Sequence, residues 1–281
     1  YESRAGGGWR VEIPPVGHRG MRDKDVAVQT LRLADGTIRT MLAWIEVPPF
    51  PPGGFGAVYV AHKDGPGGAW TAPTLLIDGR ANPYGLPDYD PRGLRLLSFT
   101  DAGGRAWVYL WWAIYSTGRI CFAYSADGGQ SWGPTTAEGW HEDAVVYYNR
   151  FAHPVPGPDE RSRGTAHDPA PIWDAIHQRI ITLYTYEEAR AGVDTDSFPA
   201  YAYGWPGAPG TSWQGYATFT TTPWRIAQAT HGTFARSVFA TTGPGAGGYV
   251  FAGWVGRDGA EKFYGLLINP ATLISAGDVQ P

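Results

Sequence analysis

The chain has 281 residues, of which only 17% are charged, and its 22 Lys and Arg against 26 Asp and Glu leave a net charge of −4. With no basic run there is no electrostatic footprint for nucleic acid, and no apolar stretch reaches the ~20 residues that a membrane-spanning helix needs. The 39 Gly and 24 Pro would suggest disorder, but 13 Trp, 16 Tyr and 11 Phe supply the apolar area for a core, so the composition reads as many short strands joined by tight turns.

In chain order, the N-terminal stretch shows neither an initiator Met nor a charged-then-apolar leader, which fits a processed secreted protein or a domain of a longer chain. Four segments then share one plan: an apolar strand, a tight turn, a longer aromatic-rich strand, and a third strand. They are "DVAVQTLRLADGTIRTMLAWIEV", "RGLRLLSFTDAGGRAWVYLWWAIYS", "DPAPIWDAIHQRIITLYTYEE" and "RSVFATTGPGAGGYVFAGWVG". Their first turns fall near Asp35, Asp101, Asp174 and Thr242, at spacings of 66, 73 and 68 residues. Antiparallel units recurring at about seventy residues cannot bury both faces alone, and arranged radially they cover one another. The expected fold is all-β: a single β-propeller domain over 1–281. Its repeats run roughly over 20–85, 86–160, 161–230 and 231–281, closed by the N-terminal strand. "DAVVYY" and "GYATFTTTPWRIAQA" leave room for a fifth blade, so four to five blades are expected. Cys121, the single cysteine, sits in an apolar strand and reads as a buried, inert thiol.

The stretch "SADGGQSW", Ser125 to Trp132, matches every fixed position of Ser-x-Asp-x-Gly-x-x-Trp. It resembles the Asp-box, or bacterial neuraminidase repeat, found in sialidases, other glycosidases and polysaccharide lyases. The resemblance implies a hairpin between the third and fourth strands of a blade, on the rim away from the active mouth. In it Asp127 accepts backbone N–H bonds, the glycines take positive φ, and Trp132 packs over the loop. "HKDGPGGAW", with Asp64 and Trp70, and "YGWPGAPGTSW", with Trp213, are degenerate copies. The role expected for Asp127 is structural.

Chemistry is expected where the innermost strands begin, because the residues before them line the propeller mouth. Before the first lies "GHRGMRDKD" with His18, Arg22 and Asp25; before the second, "LPDYDPRG" with Tyr89 and Arg92. The third is preceded by "RSRGTAHDP" with Arg163, His167 and Asp168, and the fourth by "THGTFAR" with His231 and Arg236. Converging arginines suit a carboxylate through bidentate pairing, and a His or Tyr beside them moves a proton near neutral pH.

A resemblance to sialidases implies an arginine triad drawn from Arg22, Arg92, Arg163 and Arg236, with Tyr184 or Tyr186 and Glu187 or Glu188 as a nucleophile pair. The chain departs from that family at "VEIPP", where Glu12 stands in place of the arginine of the Arg-Ile-Pro signature. A resemblance to propeller polysaccharide lyases, carried by "AHDPAPIWDAIHQRIITLYTY", implies His167, His18 and Tyr89 as proton-moving residues and Arg163 as the partner of a uronate carboxylate. A third possibility is a hydrolase using two carboxylates, such as Asp25 with Asp168 or Glu187.

Among the remaining features, "LWW" at 110–112 reads as core. The long segment "EEARAGVDTDSFPAYAYGWPGAPG" reads as an insertion over the mouth, with Tyr203 and Trp205 as ligand contacts. "DTD" at 194–196 reads as a solvated turn, a structural calcium requiring further ligands. No zinc spacing, phosphate loop or dinucleotide fingerprint is present, and no cofactor is expected. The resulting expectation is an extracellular or secreted propeller that binds and cleaves an acidic-sugar glycan, as a lyase or glycoside hydrolase. Its rival is a non-catalytic glycan-binding or adhesin domain of a larger surface or virion assembly.

Overall fold

The computed structural model describes residues 2–3, 9–10, 22–47, 56–78, 91–114, 119–133, 145–147, 165–188, 196–208, 224–225, 236–242, 250–258 and 260–268. These residues form strands and turns in five antiparallel sheets. Among the described residues, strands β1 (Glu2–Ser3) and β2 (Trp9–Arg10) pair with each other. The first large sheet runs in sequence order through β3 (Arg22–Arg32), β4 (Ile38–Val47), β5 (Ala57–Asp64) and β6 (Thr74–Asp78). The second comprises β7 (Pro91–Thr100), β8 (Ala106–Ile114), β9 (Arg119–Ser125) and β10 (Val145–Tyr147). The third comprises β11 (Thr165–Asp174), β12 (Arg179–Glu188), β13 (Asp196–Gly204) and β14 (Trp224–Arg225), and the last has β15 (Arg236–Thr242), β16 (Val250–Asp258) and β17 (Ala260–Ile268). Each large sheet falls inside one of the four sequence repeats.

The aspartates that mark the first three turns build those turns. Asp35 Oδ1 accepts the Thr37 N–H at 2.9 Å. Asp101 accepts from Arg105 N at 2.9 Å and from Trp107 Nε1 at 2.8 Å. Asp174 accepts from His177 N at 3.2 Å and from Arg179 Nε at 2.9 Å. A carboxylate that satisfies the loose backbone donors of its own turn fixes where the strand must reverse.

The sheets stack through their first strands: β7 packs against β3 on one side and β11 on the other, and β11 in turn meets β15. This radial stacking of antiparallel sheets is the propeller arrangement. Strand β8 explains why the sequence there is apolar without alternation. Its side chains point to opposite faces in turn, and both faces are covered. Leu110 and Trp112 face Ile45, Val58, Val60 and Ile77 of the first sheet, whereas Trp107, Tyr109 and Trp111 pack with Ile180 and Tyr184 of the third. Phe99 and Trp173 stack across that second interface with centroids 3.9 Å apart. Cys121 is buried in the first of these interfaces. The first sheet's remaining face carries the exposed Val26, Val28, Ile38 and Leu75 around a buried patch of Leu42, Trp44 and Ala61.

Candidate functional site

Every innermost strand carries an irregularity near its start. The pairing register shifts between Asp23 and Asp25 in β3, between Arg92 and Arg95 in β7, between His167 and Ala170 in β11, and between Arg236 and Phe239 in β15. Each shift inserts one extra residue into the inner strand, a β-bulge. Beside it Asp25 pairs with Ile45, Arg92 with Ala113, His167 with Thr185 and Arg236 with Val255. The residue preceding each of those partners is aromatic: Trp44, Trp112, Tyr184 and Trp254. Asp25, Arg92, His167 and Arg236 therefore lie at the same end of their sheets, Arg92, His167 and Arg236 immediately before the bulge and Asp25 immediately after it.

Two of these bulges touch. Gly93 and Asp168 both adopt left-handed backbone, with φ of 65° and 54°. A Cβ built on Gly93 would lie 3.6 Å from Pro169 Cδ and 3.9 Å from Asp168 Oδ1. From the first sheet, Asp25 Oδ2 accepts the Leu94 N–H at 3.0 Å. A positive φ is free for glycine and costs an aspartate about 1–2 kcal/mol. Arg92 is exposed and Asp168 half-buried at this end.

Of the other residues singled out in the sequence, His18, Tyr89, Arg163 and His231 lie outside the described residues, as do Asp194 and Thr195. The backbone of Arg22 pairs with Val47, and that of Glu187 pairs with Thr165 and Ser197, both at the bulge end of their sheets. Tyr184 is fully buried between the second and third sheets, which removes it as a surface nucleophile. Tyr203 and Trp205 do not sit over the mouth. Strand β13 enters beside Glu188 and leaves at Gly204 opposite Ile180, which carries both aromatics to the far end. There Tyr203 lies under the Arg179 guanidinium at 4.9 Å, and Trp205 is exposed beside it.

Two residues escaped the sequence reading. Glu46 is buried at the bulge end of β4, where its carboxylate accepts from Trp44 Nε1 at 2.8 Å. Its signal is a lone acid in the apolar run "MLAWIEV". Gly93 reads as ordinary turn material until its neighbour Asp168 is known. Among the described residues no cluster of His, Cys, Asp and Glu is arranged to hold a metal ion.

The turn after β9 lies at the end away from the bulges, since Ser125 pairs with Val108 near the β7–β8 hairpin. Asp127 organises it: its carboxylate accepts from Ser125 Oγ at 2.6 Å, Gln130 N at 3.0 Å, and the Ser131 N–H and hydroxyl. Gly128 and Gly129 have φ of 71° and 94°, and Trp132 Nε1 donates to Gly129 O at 3.2 Å. Burial raises the Asp127 pKa, but the hydrogen bonds from Ser125, Ser131 and Gln130 outweigh it and hold the group at about 2. A carboxylate kept this acidic and this fully engaged is a structural element of its turn.

No protein-family model matches the sequence, and no curated protein matches it. Among solved structures, the chain is similar to an α-L-arabinanase from Penicillium chrysogenum complexed with arabinobiose, with a TM-score of 0.52 and 17% identity. That alignment covers 89% of this chain and 64% of the arabinanase. It is also similar to the GH93 α-L-arabinofuranosidase of Fusarium graminearum in complex with arabinobiose, with a TM-score of 0.53, 13% identity, and coverage of 90% and 65%. The chain thus spans about two thirds of the length of either enzyme, and at these identities the likeness is one of fold.

Proposed function

We propose that the chain is a secreted, carbohydrate-active β-propeller of four to five blades that binds an acidic-sugar glycan and hydrolyses it at the bulge end of its inner strands. One observation carries the reading: Asp25, Arg92, His167 and Arg236, from four sheets, flank the bulges of the first strands at one end of the stack. The likeness in fold to enzymes that cleave arabinose-based glycans supports it. Two arginines among these four bulge-flanking residues suit a sugar carboxylate, which a guanidinium grips through two parallel hydrogen bonds. The same end supplies carboxyl groups and an imidazole, the residue types that protonate a leaving oxygen and activate water. Hydrolysis is favoured over elimination because the fold likeness is to glycosidases. The turn at Ser125 to Trp132 supports kinship with Asp-box propellers as a feature of architecture, outside the chemistry.

The test incubates the protein with arabinan, polygalacturonate and sialylated oligosaccharides, following new reducing ends and the ultraviolet absorbance of unsaturated products in parallel. New reducing ends on an acidic glycan without that absorbance are expected. A rise in absorbance assigns elimination instead. Retention on an acidic-glycan column with neither signal assigns a binding domain, and no retention overturns the reading.

A further inference from the structure

We propose that Arg95 is a specificity-determining residue, reading the carboxylate of an acidic sugar beside Arg92, and that Asp25 of the first sheet is the residue that positions it. The inference rests on the reading of the mouth given above and adds to it the side chains that select the sugar. In a regular strand, residues three apart point to opposite faces, and Arg92 and Arg95 would be divided by their own sheet. The bulge of β7 prevents this. Gly93 and Leu94 together stand against one residue of β8, so Arg92 pairs with Ala113 and Arg95 with Trp111. Residues paired across an antiparallel ladder share a face. Ala113 and Trp111 both pack toward the third sheet, which puts both arginines on that side, about 7 Å apart along the strand. Both are exposed.

The same bulge has to be held. Its two-against-one count takes Leu94 out of the regular ladder, and Leu94 is fully buried toward the first sheet, where an unmet backbone group is costly. Two side chains meet the need. Asp25 Oδ2 accepts the Leu94 N–H at 3.0 Å from across the sheet interface. Arg95 Nη1 donates to the Leu94 carbonyl oxygen at 2.8 Å. One bulge residue thus links a first-sheet carboxylate to a second-sheet guanidinium. The bond to Leu94 uses one of five guanidinium donors, and a fork already held in place loses less freedom when it grips a carboxylate. Asp25 acts only through the bulge, and its duty is one that an amide oxygen performs equally well.

The test measures binding of oligogalacturonate and of an arabino-oligosaccharide by calorimetry. Wild type is expected to prefer the acidic probe. Arg95→Ala is expected to melt within about 2 °C of wild type, because the side chain is exposed, to bind the acidic probe about tenfold or more weaker, and to change the neutral probe by less than about twofold. Asp25→Ala is expected to weaken the acidic probe by a comparable factor and Asp25→Asn to restore it. The double variant Asp25→Ala/Arg95→Ala is expected to bind no more weakly than Arg95→Ala alone, since both changes act on one contact; a merely structural Asp25 would give losses that multiply. Unchanged binding of the acidic probe in Arg95→Ala, or equal loss of both probes, overturns the proposal, and this arm decides even where Asp25→Ala unfolds. Losses that multiply in the double variant overturn the role of Asp25. A wild type that binds neither probe, or prefers the neutral one, refutes the reading of the mouth and the proposal with it.

Discussion

Arg39 of the first sheet donates from Nη1 to the carbonyl oxygen of Gly128 in the second at 2.9 Å, while its Nε and Nη2 grip the two Asp64 oxygens at 2.6 and 2.7 Å. One buried guanidinium therefore joins the start of β4 and the end of β5 to the turn after β9. Arg39→Met is expected to leave a buried carbonyl and a carboxylate without their donor, lowering stability by about 2–4 kcal/mol in urea unfolding. Arg39→Lys is expected to lose a large part of the same amount, since an ammonium cannot reproduce the fork.

The carboxylate of Asp127 makes part of the stability depend on acidity. Its pKa is held at about 2, below the ordinary 3.8, so its contribution is complete above 3.8 and fades as the pH falls through 2. Asp64 acts in the same direction, through its hydrogen bond with Arg39. Asp127→Ala is expected to cost about 1–2 kcal/mol near neutrality, a modest figure because the group is exposed and screened. Urea midpoints measured from pH 5 to pH 2 should show the gap between wild type and variant closing as the acid range is entered.

Two glycines separate backbone freedom from packing. Gly128 has φ of 71°, and a Cβ there would meet Leu33 Cδ2 at 2.7 Å; Gly65 has φ of 68° and open space around it. Gly65→Ala is expected to cost about 1 kcal/mol from conformation alone, and Gly128→Ala about 2–3 kcal/mol once the clash is included. Equal losses in thermal melts would refute the clash.

Cys121 offers a probe of global opening. It is completely buried between the first and second sheets. A thiol reagent is expected to label it only at the rate of unfolding, so the labelling rate should rise with urea in step with the unfolding rate. Fast labelling of the native protein would contradict the packing of those sheets.

The far end of the third sheet supplies a control for the mouth. Trp205→Ala is expected to leave glycan binding and turnover unchanged, because Trp205 lies beside Gly204 at the end opposite His167. Arg92→Ala is expected to weaken binding to acidic glycans by about 1–3 kcal/mol, measured by calorimetry, with a smaller effect on neutral ones.

How much of this was legible beforehand follows the range of the forces involved. The turns at Asp35, Asp101 and Asp174 are visible in the sequence because an aspartate and its turn interact within a few residues. Grouping the polar approaches by repeat singled out Arg92, His167 and Arg236, whose backbones pair at the same end of their sheets because a regular period brings corresponding residues to one end. The bulges were invisible: they arise from pairing between strands, and no local pattern marks Gly93 or the left-handed Asp168. The placement of Tyr203 and Trp205 missed because "DSFPAYAYG" is a strand, and a strand nine residues long carries its last residue to the other end of the sheet. Glu46 stayed hidden inside an apolar run whose burial masks the acid within it.

Strand β8 is walled in on both sides, with Trp111 turned toward the third sheet and Trp112 toward the first. Its amide protons should therefore be the slowest in the molecule to exchange with solvent, while the half-covered first sheet opens sooner. Damage to the Trp111 indole should loosen the joint with the third sheet and damage to Trp112 the joint with the first, so oxidation of this one strand reaches both neighbours.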